Sequence, residues 1–206
     1  MLKIENPEIT DLNIIKYNDV ENNYMIVGFY FENENIKLDN VDINTCKFND
    51  IVFERTDIKF VNINNVVFLN CDLSNVNFID TTLSKVNFIN CKLAGTNFID
   101  SNINNIVIKE CMCNYINIAQ SKLKNIEIID SNFKESTLMS CNMKNILLDK
   151  VDFRYSEIMD TSLKDIDLSS CKLEGINTDL KSIKGMIIDC YQAMDLISLL
   201  GVKIKE

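Results

Sequence analysis

From Leu38 to Leu173 every fifth residue is Leu, Ile, Phe or Met, with Cys113 the one exception among twenty-eight positions. The residue two before each is also restricted, to Ile, Val, Cys, Thr or Ser, from Ile36 through Cys171. An α-helix cannot bury this pattern, because five residues advance about 500° at 3.6 per turn and carry the stripe roughly 140° off its face each time. A flat strand fails as well, since an odd period inverts the buried face at every repeat. The pattern fits a coil in which each five-residue unit turns a corner, two side chains pointing to a common axis and three to water. It predicts an all-β solenoid, whose function has to be read from its outer surface.

Like residues recur every twenty positions. Phe48, Phe68 and Phe88 make one column, Phe78 and Phe98 another, Phe133 and Phe153 a third, and Lys124, Lys144 and Lys164 repeat outside. Four units per coil and about seven coils follow, a rod roughly 34 Å long at the spacing of neighbouring strands. Its ends need covers, because an open coil exposes unpaired backbone. Residues 1–35 do not keep the register and are rich in aromatics near Tyr30, so they read as an N-terminal cap able to wind one irregular coil. Residues 36–175 are the repeat and 176–206 the C-terminal cap. Within that cap Asp189 and Gln192 fit an N-cap and its N3 partner, Ala193, Leu196, Ile197 and Leu200 make a helical stripe, and Gly201 suits a C-cap. A helix at about 189–200 is expected.

The run CDLSN-VNFID-TTLSK-VNFIN-CKLAG-TNFID, residues 71–100, resembles the pentapeptide-repeat family, and the likeness covers about 140 residues. It implies a right-handed quadrilateral β-helix. One departure is that no small inward site holds Ala, which points to a differently packed coil. The C-terminal segment is similar to that of the Qnr-type quinolone-resistance subgroup, in which the tail pairs two rods end to end and the dimer mimics DNA toward DNA gyrase and topoisomerase IV. The resemblance implies a homodimer through Met186, Ile187, Ile188, Ala193, Leu196, Ile197, Leu200, Val202 and Ile204, with a type II topoisomerase as partner. The projecting loops that some members of that group carry are absent, because the repeat runs without interruption. The alternative is a structural or scaffolding rod with an unrelated protein partner.

The charge, 30 acids against 21 bases and a net of −9, argues against direct nucleic-acid or anionic-membrane binding and suits a basic partner. Sorted by face, the units centred on Leu38, Ile58, Phe78 and Phe98 carry Asp39, Asp57, Asp80, Asp100, Glu157 and Asp160 against Lys37 and Lys59. The units of Ile43, Ile63 and Leu83 carry Lys85, Lys122, Lys124, Lys144 and Lys164 against two acids. On the acidic face Ile79, Ile99, Met139 and Met159 form an outward apolar row beside Asp80, Asp100 and Asp160, which is the candidate partner-binding face with Glu157.

Catalysis is not expected. The chain has no His and no Gly-rich phosphate loop, and a convex rod gives paired acids such as Asp165 and Asp167 no pocket to desolvate them. Cys46, Cys71, Cys91, Cys111, Cys141 and Cys171 occupy small inward sites interchangeably with Ser, Thr and Val and read as free core thiols; Cys190 reads as a buried cap thiol. No metal or cofactor is implied. The opening MLKIENPEIT lacks a signal-peptide core and no stretch approaches the ~20 apolar residues of a membrane span, so a cytoplasmic protein is expected.

Overall fold

The computed structural model describes residues 3–19, 25–38, 40–197, 199 and 201. It is a parallel β-solenoid of about eight turns closed by a short helix, Gln192–Ile197. The corner device is the fifth residue of the unit. From Thr45 to Asp165 nearly every such residue has φ between +46° and +61°, and Gly95 has +67°. Asn and Asp fill more than half of these corners because their short polar side chains tolerate the left-handed region.

Two corners separate the long strands from the rest. Eight-residue strands, Asp42–Asn49, Asn62–Leu69, Thr82–Ile89, Asn102–Lys109, Lys122–Ile129 and Asn142–Asp149, pair in parallel with twenty-residue register and wrap two faces. Three-residue strands from Asp57–Lys59 to Glu157–Met159 stack on the opposite, acidic face. The remaining face holds tight turns joined by single bridges such as Asp72 with Lys92.

Stacking on the axis follows the sequence columns. Phe48, Phe68 and Phe88 lie ring on ring at 5.1 and 5.0 Å, and Phe78 and Phe98 at 4.9 Å. Phe31 extends the first stack, 5.0 Å from Phe48. That contact spans seventeen residues, because Ile26 pairs with Ile43, Phe31 with Phe48 and Ile36 with Phe53. An irregular coil that starts at Ile26 thus precedes the regular ones and closes after seventeen residues, three fewer than they take. Cys113 is fully buried among its neighbours.

Ahead of that coil the chain turns along the rod. Residues 5–8 run across the coils of the lysine-bearing face, where the Glu5 amide donates to Asn105 (3.3 Å), Asn87 donates to Asn6 (3.3 Å) and the Glu8 amide donates to Asn65 (2.6 Å). Glu5 also pairs with Lys85 at 2.9 Å. Part of the segment expected as the N-terminal cap is thus a strap along one side.

At the other end the described helix, Gln192–Ile197, lies within the expected 189–200. Its start is as expected: Asp189 accepts from the Tyr191 and Gln192 amides, and Gln192 accepts from the Asp189 amide, all at 2.8 Å. Gln192 is also buried, and its side-chain amide donates to the carbonyls of Leu168 (2.8 Å) and Cys171 (2.7 Å). One side chain thus starts the helix and satisfies the last coil. Ala193 is exposed, so the face laid on the rod is Gln192 and Leu196 rather than the stripe through Ala193.

Candidate functional site

Parallel register places Ile79, Ile99, Ala119, Met139 and Met159 in one outward column. Ala119 narrows the apolar row at its middle. Met139 is its most exposed member and the two isoleucines are half-covered. Asp80, Asp100 and Asp160 occupy the adjoining corners, but Gln120 and Ser140 separate the first two from the third. The acidic column is thus two groups rather than a continuous row. Asp39 lies outside the described residues.

Side-chain amides order two other carboxylates of this face, Asp57 and Glu157. Asn77 donates to Asp57 (2.6 Å), Asn97 donates to Asn77, and Asn177 donates to Glu157 (3.3 Å). Asp179 joins the second group: its carboxylate accepts from the Ser182 hydroxyl (2.6 Å) and from the amides of Asp160, Lys181 and Ser182. Those donors, the Ser182 hydroxyl foremost, hold its pKa at about 2. Asp179 falls beyond the repeat, so periodicity gave no signal for it. Cations are sparse here, with Lys59 3.8 Å from Asp57 and Lys181 4.0 Å from Asp160, both exposed pairs of small energetic weight. Among the described residues Asp80, Asp100 and Glu157 have no ion pair.

The tight-turn face differs. There Arg154 grips Asp152 with two hydrogen bonds, and Lys92 lies 3.6 Å from Asp72, so its charges cancel locally. On the lysine face Glu5 neutralises Lys85, while Lys124 and Lys144 stack in register.

The residues expected to pair two rods divide. Met186 and Ile188 pack against the rod's own core and Leu196 is buried, whereas Ile187 and Ala193 face outward. Leu200, Val202 and Ile204 lie outside the described residues. Leu180, Tyr191 and Met194 are further exposed apolar residues of this segment, outside the expected stripe.

Cys46, Cys71, Cys91, Cys111, Cys113, Cys141 and Cys171 are free and buried. The Cys111 and Cys71 thiols beside Cys91, together with burial, push that thiol well above its ordinary pKa, and burial does the same to Cys113, so neither is a nucleophile at neutral pH. Cys190 is exposed rather than buried: it follows the N-cap and points away from the rod. Among the described residues no cluster of His, Cys, Asp or Glu could hold a metal ion, and no helix is long and apolar enough to cross a membrane.

No curated protein matches the chain. Among solved structures it is similar to a trypsin-treated form of QnrB1, a plasmid-mediated fluoroquinolone resistance protein, with 17% identity over 89% of this chain and 96% of that chain and a TM-score of 0.43. It is similar to the pentapeptide repeat protein Rfr23 from the cyanobacterium Cyanothece 51142, with 20% identity over 56% and 66% and a TM-score of 0.29. HetL, a pentapeptide repeat protein involved in heterocyst differentiation regulation from Nostoc sp. Strain PCC 7120, shares 12% identity over 80% and 92%, with a TM-score of 0.23. Residues 41–118 match the family model described as a pentapeptide repeat region. The same five-residue register and the same corner geometry continue beyond the matched residues, through Asp165.

Proposed function

We propose that this rod is a non-enzymatic, cytoplasmic binding protein that presents its acidic face to the DNA-binding saddle of a type II topoisomerase, DNA gyrase or topoisomerase IV, and so modulates quinolone susceptibility. The observation that carries the reading is one regular face that sets Asp57, Asp80, Asp100, Glu157 and Asp160 outward, with amides holding Asp57 and Glu157, and with Asp80, Asp100 and Glu157 free of ion pairs among the described residues. A saddle built to take phosphates offers cations, and fixed carboxylates lose little freedom on meeting them. The apolar surface of Ile187, Tyr191 and Met194 at the C-terminal end supports a homodimer joined there, which doubles the length of the acidic face. Purified gyrase tests it: supercoiling and quinolone-induced cleavage should both change on adding the protein at micromolar dimer, and no change in either overturns the reading.

The charge density favours a second reading. Duplex DNA carries about one charge per 1.7 Å, so a rod of roughly 34 Å would need on the order of 20 to match it. Residues 36–175 carry nineteen acids against fifteen bases. A scaffolding rod with an unrelated partner needs no such match, and an unresponsive gyrase would leave that reading in place.

A further inference from the structure

The long-stranded wall stops one coil early. The strand Asn142–Asp149 pairs with Lys122–Ile129 on one side only. The next coil should continue the sheet through residues 162–169, yet it turns tightly instead. Side chains there capture the backbone: Ser162 accepts from the Lys164 amide (3.4 Å), and Asp167 accepts from the amide (2.9 Å) and hydroxyl (2.6 Å) of Ser169. Such local bonds compete with strand pairing. The amides of Leu163, Asp165 and Leu168 bond onward to Ser182, Gly185 and Ile187, and no backbone bond joins residues 162–169 to 142–149. The gap is closed at both ends, by the Cys141 amide to Thr161 and the Lys150 amide to Ser170, each 3.1 Å.

The core is uncovered where the wall parts. Ile103, Ile106, Leu123 and Ile126 are buried in earlier coils, whereas the equivalent Met143 and Ile146 are only partly covered and Leu147 is 37% exposed. A cleft of about 670 Å³ opens here, with Ile129, Ile146 and Leu148 on its apolar side. Behind it lies an apolar void of about 20 Å³ that Met143, Ile146 and Leu163 help to line. The cleft's charged residues are Glu127, Asp149, Asp165 and Asp167, with no Lys or Arg in the lining and no ion pair on any of the four among the described residues.

An unpaired strand edge accepts another strand, alternate side chains of which would enter the cleft. We propose that an extended segment of a partner protein, with aliphatic residues alternating with Lys or Arg, adds to the edge of Asn142–Asp149 in this cleft. The aliphatic side chains meet Ile146 and Leu148, and the cations meet the four carboxylates. This site is separate from the acidic face and stands whether or not a topoisomerase is the partner.

A fluorescein-labelled, end-blocked hexapeptide of alternating Lys and Val is the probe, with alternating Glu and Val as control. Hydrogen exchange of the full chain should show fast amides in 142–149, slowed at least tenfold by the basic probe and unchanged by the acidic one. Fluorescence polarisation should show affinity falling at least tenfold in the double variant Asp149→Lys, Asp165→Lys. Three results would each overturn the proposal: no slowing in 142–149, equal binding of the acidic probe, or amides already protected in a protein that elutes as a dimer, which would assign the cleft to a second copy. The exchange measurement on the unaltered chain decides the matter even if the double variant does not fold.

Discussion

Gly175 sits at φ +69°, and a Cβ there would lie 2.5 Å from the ring of Tyr155, one coil earlier. The conformation favours glycine and the contact demands it, so Gly175→Ala should cost about 1–3 kcal/mol in urea unfolding. Adding Tyr155→Ala should recover the part due to the ring and leave the backbone part. Asp179 gives a residue-scale pH effect. Its folded pKa of about 2 lies below the ~3.9 of an unfolded Asp. Its contribution is therefore complete above pH ~4 and is lost as pH falls through about 2. Asp179→Asn should flatten the acid limb of the stability curve between those values, followed by circular dichroism.

At the scale of elements the C-terminal helix makes the sharpest forecasts. Gln192→Ala would leave the Cys171 carbonyl without its donor, take one of two donors from the Leu168 carbonyl and remove half of the capping pair, a loss of about 2–4 kcal/mol in thermal unfolding. Met194→Asp changes an outward side chain, so the proposed dimer should become a folded monomer by light scattering. Leu196→Asp would not separate these effects, because Leu196 is buried in its own chain. The capping pair Asp189 and Gln192 was legible in sequence because capping is local chemistry. The inward side of so short a helix was not, since a polar Gln192 faces the rod and an apolar Ala193 faces water. Likewise the columns of Phe48 and Phe78 could be read from a strict period, while the strap of residues 5–8 could not, because it is held by scattered Asn and Lys side chains across the coils. The parting of the wall after Asn142–Asp149 lay hidden for the same reason: Leu163 and Leu168 keep the period, and Ser162 and Asp167 alone redirect the backbone.

For the whole molecule, the repeat makes each coil a near copy of the next, and stability is a sum of coil-to-coil terms. The candidate faces therefore depend on how the coils are stacked more than on any single residue. The seventeen-residue first coil has a consequence of its own. A set of identical coils can slip by one coil with every inward residue still inward, since Phe48 accepts Phe88 as readily as Phe68. Phe31 and Ile36, three residues out of step, fit over Phe48 and Phe53 only at this end, so the short coil acts as an address that fixes where counting begins. An insertion of twenty residues copied from 81–100 should consequently fold into a longer rod with all faces aligned. Removing five would turn everything downstream through one face, bringing the lysines of one side under the carboxylates of another while the core stayed apolar. Limited proteolysis would find both variants compact, and only the second should lose the functions assigned to its faces.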